Sequence, residues 1–248
     1  RFCDPRNESV LSDMGKMKYW LPVDMYVGGD EHNTLHLLYS RFIYQFLWDL
    51  GVVPQEYPEP YKKRLSHGII LGPDGNKMSK SKGNVILPDV VANVHGADTL
   101  RAYMMFMGPF DATMAWNESS LLGVKRFLDR FYNYVSHKTK RGQDNVESDR
   151  EIKVVINRLV KEVGIDLENF KFNTTIAKIM TALNRLEEGG SISYDDLKKL
   201  VQVLSPIALF VADDLWEKLG GEFSIHQSTW PSHEEQYLVD ETVTVSIQ

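Results

Sequence analysis

The sequence predicts an α/β segment followed by an all-α segment that forms a bundle of four or five helices. Two observations support this fold class. In the first half, two short apolar strands each lead into a glycine-containing turn, and a helical pattern follows the first strand. From residue 118 onwards, apolar residues recur at helical spacing, and glycine or proline interrupts the pattern at intervals.

The first strand and the first helix form one unit. Residues 22–27 are a predicted strand that ends at Gly28 and Gly29, and a helix is predicted over residues 33–50. In doubly wound sheets, ligands bind beyond the carboxyl ends of such strands, so we expect residues 28–32 at a ligand crevice. Glycine suits this position because a Cβ atom would hold the backbone away from a nucleotide.

A second predicted strand, residues 67–71, leads into a polar loop over residues 72–84, which we call the lysine–serine loop. Gly75 and Gly83 flank its centre and would let it close over a substrate and reopen. On composition alone, a solvated surface loop is the more common explanation, because lysine and serine are ordinary surface residues. The order of the residues and the motifs around them change this judgement.

The centre of this loop suits a polyphosphate. Lys77 and Lys80 are three residues apart, so both ammonium groups can reach oxygens of one triphosphate, while Ser79 and Ser81 offer hydroxyls. Stabilising the charge of a departing pyrophosphate is a natural role for such a group. The sequence therefore predicts ATP as a ligand, bound jointly by this loop and by the end of the first strand.

Three polar residues, one at the end of the loop and two beyond it, have a predicted structural role. Asn84, Asp98 and Arg101 are expected to hold the loop and the next helix in place. Asp98 would lie in the first turn of that helix, where a carboxylate is favourable.

From residue 118 onwards, the sequence predicts helices separated by turns. We expect their apolar stripes to form a core and to carry no chemistry. The predicted domains are residues 1–117, residues 118–232 and a carboxy-terminal region, 233–248. The stripes comprise Leu121, Val124, Leu128, Phe131 and Val135; Ile152, Val155, Ile156, Leu159 and Val163; Ile176, Ile179, Met180, Leu183 and Leu186; and the segments 197–204 and 207–219.

Composition narrows the class of protein. The 248 residues are 43% apolar and 25% charged, which is enough for one or two cores. Cys3 is the single cysteine, so a disulfide framework and a cysteine-based zinc site within the chain are excluded, which fits a reducing, cytoplasmic compartment. No apolar run reaches the roughly 20 residues that span a bilayer. Because the chain opens on Arg1 and stops inside the alternating run 243–247, we expect a piece of a longer protein.

Charge divides unevenly along the chain. Residues 1–141 carry a net charge of +3 and residues 142–248 a net charge of −9, so a global basic face for nucleic acid is absent. Clusters of charged residues in a sequence are usually solvent-exposed surface. The nearest candidate for a basic patch comprises Lys125, Arg126, Arg130, Lys138, Lys140 and Arg141.

His32 and His36 are four residues apart at the start of the first predicted helix, so we expect their rings on one face. This spacing can bind zinc, but no third ligand at a suitable spacing is visible, and we predict no metal site. Packing under the sheet with hydrogen bonds to the backbone is the structural alternative.

Three motifs in this order resemble one family. Residues 26–32 read Tyr-Val-Gly-Gly-Asp-Glu-His, residues 77–81 read Lys-Met-Ser-Lys-Ser, and residues 96–101 read Gly-Ala-Asp-Thr-Leu-Arg. Together they resemble the leucyl-tRNA synthetases, which are class I aminoacyl-tRNA synthetases, over nearly the whole chain. Isoleucine and valine enzymes share the Lys-Met-Ser-Lys-Ser (KMSKS) motif but lack the Gly-Gly-x-Glu-His run that here continues to His36-Leu37-Leu38-Tyr39.

The resemblance implies half of a Rossmann-type parallel-sheet domain that carries the KMSKS loop, followed by an anticodon-binding-type helical bundle that docks the tRNA body. It implies leucine, ATP with Mg²⁺ and tRNA(Leu) as substrates. Glu31 would hold the ribose, because a carboxylate accepts two hydrogen bonds from a diol. Gly68 and Ile69 would flank the adenine with their backbone, although residues 69–71 alone read as a buried strand.

The site residues that the resemblance implies fall into four sets. The catalytic set is Lys77, Lys80, Ser79 and Ser81. The ATP-binding set is Gly28, Gly29, Glu31, His32, Gly68, Ile69 and Met78. The leucine pocket is formed by His32 and His36, and the tRNA contacts are Lys125, Arg126 and Arg130.

The sequence departs from the family in one important respect. The nucleotide-binding His-x-Gly-His motif of the first half of the catalytic domain occurs nowhere in these residues. We therefore expect the isolated chain to be inactive and to need the amino-terminal half, from the same gene or from a separate subunit. Two alternatives stay open: a tRNA-docking module without catalysis, and a relative that activates another amino acid.

Overall fold

A computed structural model describes residues 2–139 and 146–238. It contains two compact units: Arg1–Ile69 together with Asp111–Thr113, and Ile70–Phe110 together with Met114–Gln248. A small parallel sheet precedes a large helical region, so the predicted α/β then all-α fold is confirmed. The domain boundaries predicted after residues 117 and 232 stay a prediction.

The first unit holds one pair of parallel strands. Residue Tyr26 pairs with Arg64, and the register continues to Gly29 and His67. The side chain of Asp13 accepts a hydrogen bond from the Lys16 amide and so caps the first helix. The elements in chain order are α1 (Met14–Trp20), β1 (Tyr26–Gly29), a short 3-10 helix (Asp30–Asn33), α2 (His36–Asp49) and β2 (Arg64–His67).

Two predicted boundaries in this unit are wrong. The strand predicted over residues 22–27 starts at Tyr26 and includes both glycines, because their backbone pairs with β2. The helix predicted over residues 33–50 is α2, which begins only at His36. His32 lies in the preceding 3-10 helix, so the two histidines are on different elements.

The strand predicted over residues 67–71 is in fact two strands in two sheets. β2 ends at His67, whereas β3 (Ile70–Leu71) pairs in parallel with β4 (Met114–Ala115). The break follows from Gly68, where an added Cβ atom would lie 1.8 Å from the Ala112 carbonyl oxygen. Only glycine fits there. The prediction that Ile69 is buried is also wrong, since its side chain is 39% exposed.

The second unit contains seven helices of at least eight residues within the described ranges. Five of them begin at or after residue 118, as the sequence predicts for the bundle. Sequence patterns did not predict α1 or α3, and they gave no end for α4. The helices are α3 (Pro88–His95), α4 (Ala97–Phe106), α5 (Glu118–Thr139), α6 (Arg150–Glu168), α7 (Phe172–Glu187), α8 (Tyr194–Leu204) and α9 (Leu209–Lys218).

The predicted apolar stripes form the core of this unit, which confirms their structural role. The α5 stripe from Leu121 to Val135 is buried throughout, and in the α6 stripe only Val155 is half-buried. Ile207 and Ala208 are fully buried but lie in the corner before α9, so the last predicted helix begins two residues later than expected. These helices share one continuous core.

Within residues 2–139 and 146–238, no helix combines the length and the hydropathy that a membrane crossing requires. Lys140, Arg141 and the alternating run 243–247 lie outside the described residues.

Candidate functional site

The carboxyl end of β1 is held by a polar cluster of the first unit. The Asp30 carboxylate accepts hydrogen bonds from the Ser66 hydroxyl at 2.6 Å and from the Arg64 guanidinium at 3.3 Å. The same guanidinium donates to the Gly29 carbonyl at 3.0 Å. The hydrogen bond from Ser66, followed by that from Arg64, lowers the pKa of Asp30. The turn after the strand is therefore anchored to β2, and Gly28 and Gly29 are buried within the pair.

Four rings gather beside this turn. The His36 Nε2 atom lies 2.7 Å from the Tyr26 hydroxyl, and the Tyr26 ring lies 5.2 Å from that of Tyr61. The centroids of the His32 and His36 rings are 5.6 Å apart, so the predicted adjacency of these rings is found although they lie on different elements. His32 Nδ1 is buried and has no hydrogen-bond partner in the described part of the chain. We call this group the ring cluster.

Glu31 is exposed beside the same turn. Its carboxylate folds against the backbone, since a Cβ atom at Gly29 would lie 2.3 Å from Glu31 Oε2. In residues 2–139 and 146–238 no hydrogen bond or ion pair occupies this carboxylate, so both of its oxygens can accept hydrogen bonds from a ligand. No group of three His, Cys, Asp or Glu side chains in these ranges could hold a metal ion.

The lysine–serine loop belongs to the second unit, and polar contacts fix it. The Asn84 side chain accepts a hydrogen bond from the Ser79 amide at 2.9 Å and donates to the Asp74 carboxylate at 3.2 Å. Asp74 also accepts the Asn76 amide at 3.1 Å, which closes the turn at residues 72–76. The Asn76 amide, followed by the Asn84 side chain, lowers the pKa of Asp74. The predicted structural role of Asn84 agrees with these contacts.

Three ammonium groups project from this loop. Lys77, Lys80 and Lys82 are exposed, and none forms an ion pair with the described residues. The Ser79 and Ser81 hydroxyl oxygens are 2.7 Å apart, so these two side chains meet on one side of the turn. Gly83 ends the short helix Lys80–Lys82 with φ of 66°, a conformation that glycine adopts without strain. The loop thus presents unneutralised positive charge to solvent.

Met78 differs from its neighbours because its side chain is half-buried. Its sulfur lies 3.5 Å from the Ile86 amide, which donates to it, so Met78 helps to close the base of the loop. Its predicted contact with ATP stays a prediction.

The three predicted tRNA contacts on α5 differ in availability. Arg130 pairs with Glu187 and donates to the Asn184 side chain at 2.8 Å, so it ties α5 to α7. Lys125 pairs with Asp129 at 3.1 Å. Arg126 is exposed, and the structure of residues 2–139 and 146–238 gives it no partner. The sequence did not predict the ion pair of Arg130, because its partner Glu187 is 57 residues away along the chain.

The site residues thus form two groups. Gly28, Gly29, Glu31 and the ring cluster lie in the first unit, whereas the lysine–serine loop lies in the second. Their meeting over one ATP stays a prediction. The sequence analysis did not predict the roles of Asp30 and Asp74. Asp30 directly follows a glycine and Asp74 directly precedes one, and this proximity is a signal of an aspartate that stabilises a turn.

Comparison with protein families gives two matches. Residues 9–117 match the family described as tRNA synthetases class I (I, L, M and V). Residues 149–247 match the anticodon-binding domain of tRNA ligase. The order of the two matches is the order of the α/β segment and the helical bundle.

Solved structures agree with these matches. A LeuRS of Agrobacterium radiobacter K84 (agnB2), solved as a ternary complex with tRNA and LeuAMS, is 33% identical with a TM-score of 0.84 over 93% of this chain. This chain spans about a third (32%) of the length of that protein. Methionyl-tRNA synthetase of Mycobacterium tuberculosis, solved with methionyl-adenylate, shares the fold at 16% identity, with a TM-score of 0.65 over 84% of this chain and 46% of its own. On this similarity and the two family matches, the chain belongs to the class I tRNA synthetases.

Proposed function

We propose that this chain is part of a leucine-tRNA ligase, which activates leucine with ATP and transfers it to tRNA(Leu). The observation that carries the proposal is the lysine–serine loop, where Lys77, Lys80 and Lys82 are exposed and have no carboxylate partner in the described ranges. An unneutralised cluster of ammonium groups on a polar turn attracts a polyanion. The 33% identity to a LeuRS supports leucine as the amino acid.

The reaction begins with attack of the leucine carboxylate on the α-phosphorus of ATP, which gives leucyl-adenylate and pyrophosphate. Lys77 and Lys80 stabilise the negative charge that grows on the departing phosphates, and Ser79 and Ser81 support the loop. Such chemistry depends on positioning and charge stabilisation more than on covalent catalysis. The clamp between Asn84 and Asp74 supports this role, because it anchors both ends of the loop to each other without using the lysines.

The first unit supplies the nucleoside and amino-acid side of the proposed site. The carboxylate of Glu31 accepts hydrogen bonds from the two ribose hydroxyls, Gly28 and Gly29 allow close approach of the nucleotide, and Gly68 and Ile69 flank the adenine. His32 and His36 line the leucine pocket. The exposure of Glu31 and the absence of a described partner for its carboxylate support its assignment.

Mg²⁺ enters this proposal as part of the substrate. Magnesium is commonly held by phosphate oxygens and water, with only one or two protein carboxylates. A cytoplasmic location also belongs to the proposal, since the single cysteine fits a reducing compartment.

A second polypeptide segment completes the proposed enzyme. The sequence lacks the His-x-Gly-His motif, and the chain spans 32% of the LeuRS that it resembles. On α2, five apolar side chains are each more than half exposed: Leu38, Tyr39, Phe42, Ile43 and Phe46. An apolar face of this kind commonly marks an interaction site. We infer that the amino-terminal half of the catalytic domain, from the same gene or a separate subunit, covers it.

Exchange of labelled pyrophosphate into ATP, dependent on leucine, tests this proposal. The chain is assayed alone and then mixed with a separately made amino-terminal half that carries His-x-Gly-His. Activity only in the mixture is expected. Exchange that depends on isoleucine or methionine instead would indicate a relative with changed specificity, and exchange by the chain alone would contradict the need for a second half.

The role of Lys80 is tested in the same mixture. Lys80→Ala should lower the rate constant of activation by about 100-fold, the usual cost of losing one charge-stabilising donor, while the KM for leucine changes little. The matched control is Lys63→Ala, which removes an exposed lysine outside the loop. Equal losses in rate and in leucine affinity would contradict a role in the transition state.

A tRNA-docking module without catalysis is the second candidate, and residues 149–247 favour it through their match to an anticodon-binding domain. It predicts that the chain binds tRNA(Leu) in a salt-dependent manner. It also predicts no exchange in the mixture, provided that circular dichroism shows both halves folded.

A further inference from the structure

Helix α4 lies where the lysine–serine loop joins the helical bundle. The loop leads into α3, Gly96 turns the chain with φ of 94°, and α4 follows directly. Thr99, Ala102 and Tyr103 of this helix are buried. The Tyr103 hydroxyl accepts the Asn117 amide at 2.7 Å, at the start of α5. All of these elements belong to the second unit.

The N-terminus of α9 lacks a local cap. The residue at its N-cap position is Ala208, whose methyl group cannot accept a hydrogen bond. Helices normally satisfy their second and third amides with a Ser, Thr, Asp or Asn side chain at this position. In α9 those amides belong to Phe210 and Val211, and both donate to the carboxylate of Asp98, at 2.9 Å and 2.8 Å.

Asp98 therefore caps a helix 112 residues further along the chain. The prediction placed it in the first turn of its own helix, and it is there, but its hydrogen bonds go to α9. The carboxylate is buried, and its second oxygen, Oδ1, has no partner in residues 2–139 and 146–238. A buried charge with one unsatisfied oxygen is costly, so its presence calls for an explanation.

Arg101 makes the complementary contact one turn later on α4. Its guanidinium donates to the Pro206 carbonyl at 3.2 Å, just beyond the carboxyl end of α8. An anion thus meets the positive end of α9 and a cation lies by the negative end of α8, as the two helix dipoles favour. Between these contacts, Ile207 and Ala208 are fully buried.

We propose that Asp98 is a positioning residue: its carboxylate supplies the missing cap of α9 and thereby fixes α4, and the loop that precedes it, to the helical bundle. The start of α9 and the placement of α4 then depend on each other. The consequence of this positioning for catalysis rests on the proposed function, because only an ATP-binding loop would gain from being held at a set position on the bundle.

Distances between spin labels on the bundle test this coupling without ATP, leucine or tRNA, so the result does not depend on the proposed function. Labels are attached to cysteines introduced at two exposed positions, Asn93 on α3 and Thr181 on α7, in a chain that also carries Cys3→Ser. The width of the distance distribution, measured by double electron–electron resonance, reports how firmly α3 and α4 are held.

Asp98→Ala should broaden the distribution at least about twofold, because the cap and the inter-helix tie are lost together. Asp98→Asn should keep it near the original width, since a carboxamide oxygen still accepts an amide hydrogen bond. Asp129→Asn, which removes an exposed carboxylate on α5, is the matched control and should change nothing. An unchanged width in folded Asp98→Ala would overturn the proposal.

A second variant separates positioning from simple capping. Ala208→Ser gives α9 a cap of its own, so Asp98→Ala combined with Ala208→Ser should fold even where Asp98→Ala alone does not. If Asp98 positions α4, the distribution of the double variant stays broad. If the original narrow width returns, Asp98 only caps α9 and the positioning role is rejected.

Discussion

Two helices with nine apolar residues each, α2 and α6, show how differently the two units are built. Of the 14 residues of α2, only Leu37 and Tyr44 are buried. In α6, seven of 19 residues are buried, and the five apolar ones among them pack into the shared core of the second unit. The cause is the presence or absence of packing partners. Most apolar residues of α6 contact neighbouring helices, whereas much of the apolar face of α2 is exposed to solvent.

This difference bears on what each unit does. A helix stabilised by tertiary packing needs its apolar face covered. The bundle provides that cover from its own helices, so it can act as a stable support for the lysine–serine loop. The first unit carries the ring cluster beside a helix whose face is open. We infer that its site is completed by the partner that covers α2.

The largest expected effect tests the packing contrast directly. Phe131→Ala removes a fully buried ring from the core of α5 and should lower the free energy of unfolding by about 3–5 kcal/mol. Phe42→Ala removes a ring that is 68% exposed and should change it by less than about 0.5 kcal/mol. Urea denaturation followed by circular dichroism measures both. A similar loss for the two variants would remove the contrast.

A charge on the open face sharpens the comparison. Phe42→Glu should weaken association of the chain with the amino-terminal half by at least about 30-fold, since a buried aromatic anchor contributes about 2 kcal/mol or more to an interface. Phe210→Glu, at an exposed position of α9, is the matched control and should leave association unchanged. Titration by isothermal calorimetry measures both. Equal affinities for the two variants would show that α2 is not the contact face.

The sequence predicted the second unit better than the first for a physical reason. Helical stripes such as Leu121 to Val135 are local patterns, and packing only reinforces them. The split between β2 and β3 depends instead on Ala112, which lies 44 residues from Gly68 and forces the backbone to pass without a Cβ atom. No local pattern encodes that contact, so one continuous strand was the expected result.

The candidate site shows the same limit. The residue types and spacing of the lysine–serine loop are visible in the sequence, and its anchoring by Asn84 was expected because the contact is short in sequence. The cap that Asp98 provides to α9 was not expected, because Ala208 and Asp98 are distant along the chain. No signal in the sequence indicates this cap, because Ser205 followed by Pro206 is itself a common start of a helix.

Two arginines on α5 provide a smaller test, within the bundle. Arg130→Gln should reduce the free energy of unfolding by at most about 1 kcal/mol, because its pair with Glu187 is partly exposed to solvent, and should leave tRNA affinity unchanged. Arg126→Gln should leave stability unchanged and reduce the salt dependence of tRNA binding by about one phosphate contact. Filter binding at several salt concentrations and urea denaturation separate the two. The reverse pattern would exchange the roles of the two residues.

The lysine–serine loop is a third kind of region, because polar contacts stabilise it, whereas apolar packing stabilises the bundle. A change of pH should have the smallest of the expected effects, and it should act on this loop. The pKa of Asp74 is below its usual value of 3.8, so its hydrogen bonds stabilise the loop above that pH and are lost as pH falls through the lowered pKa. Carboxyl ¹³C signals of Asp74 should report this titration, and the Ser79 amide should shift at the same pH, since Asn84 bridges the two. In Asn84→Ala, the pKa of Asp74 should rise but stay lowered by the Asn76 amide, and the Ser79 shift should disappear. Titration of Asp74 at its usual value in the unmodified chain would show that the clamp does not form in solution.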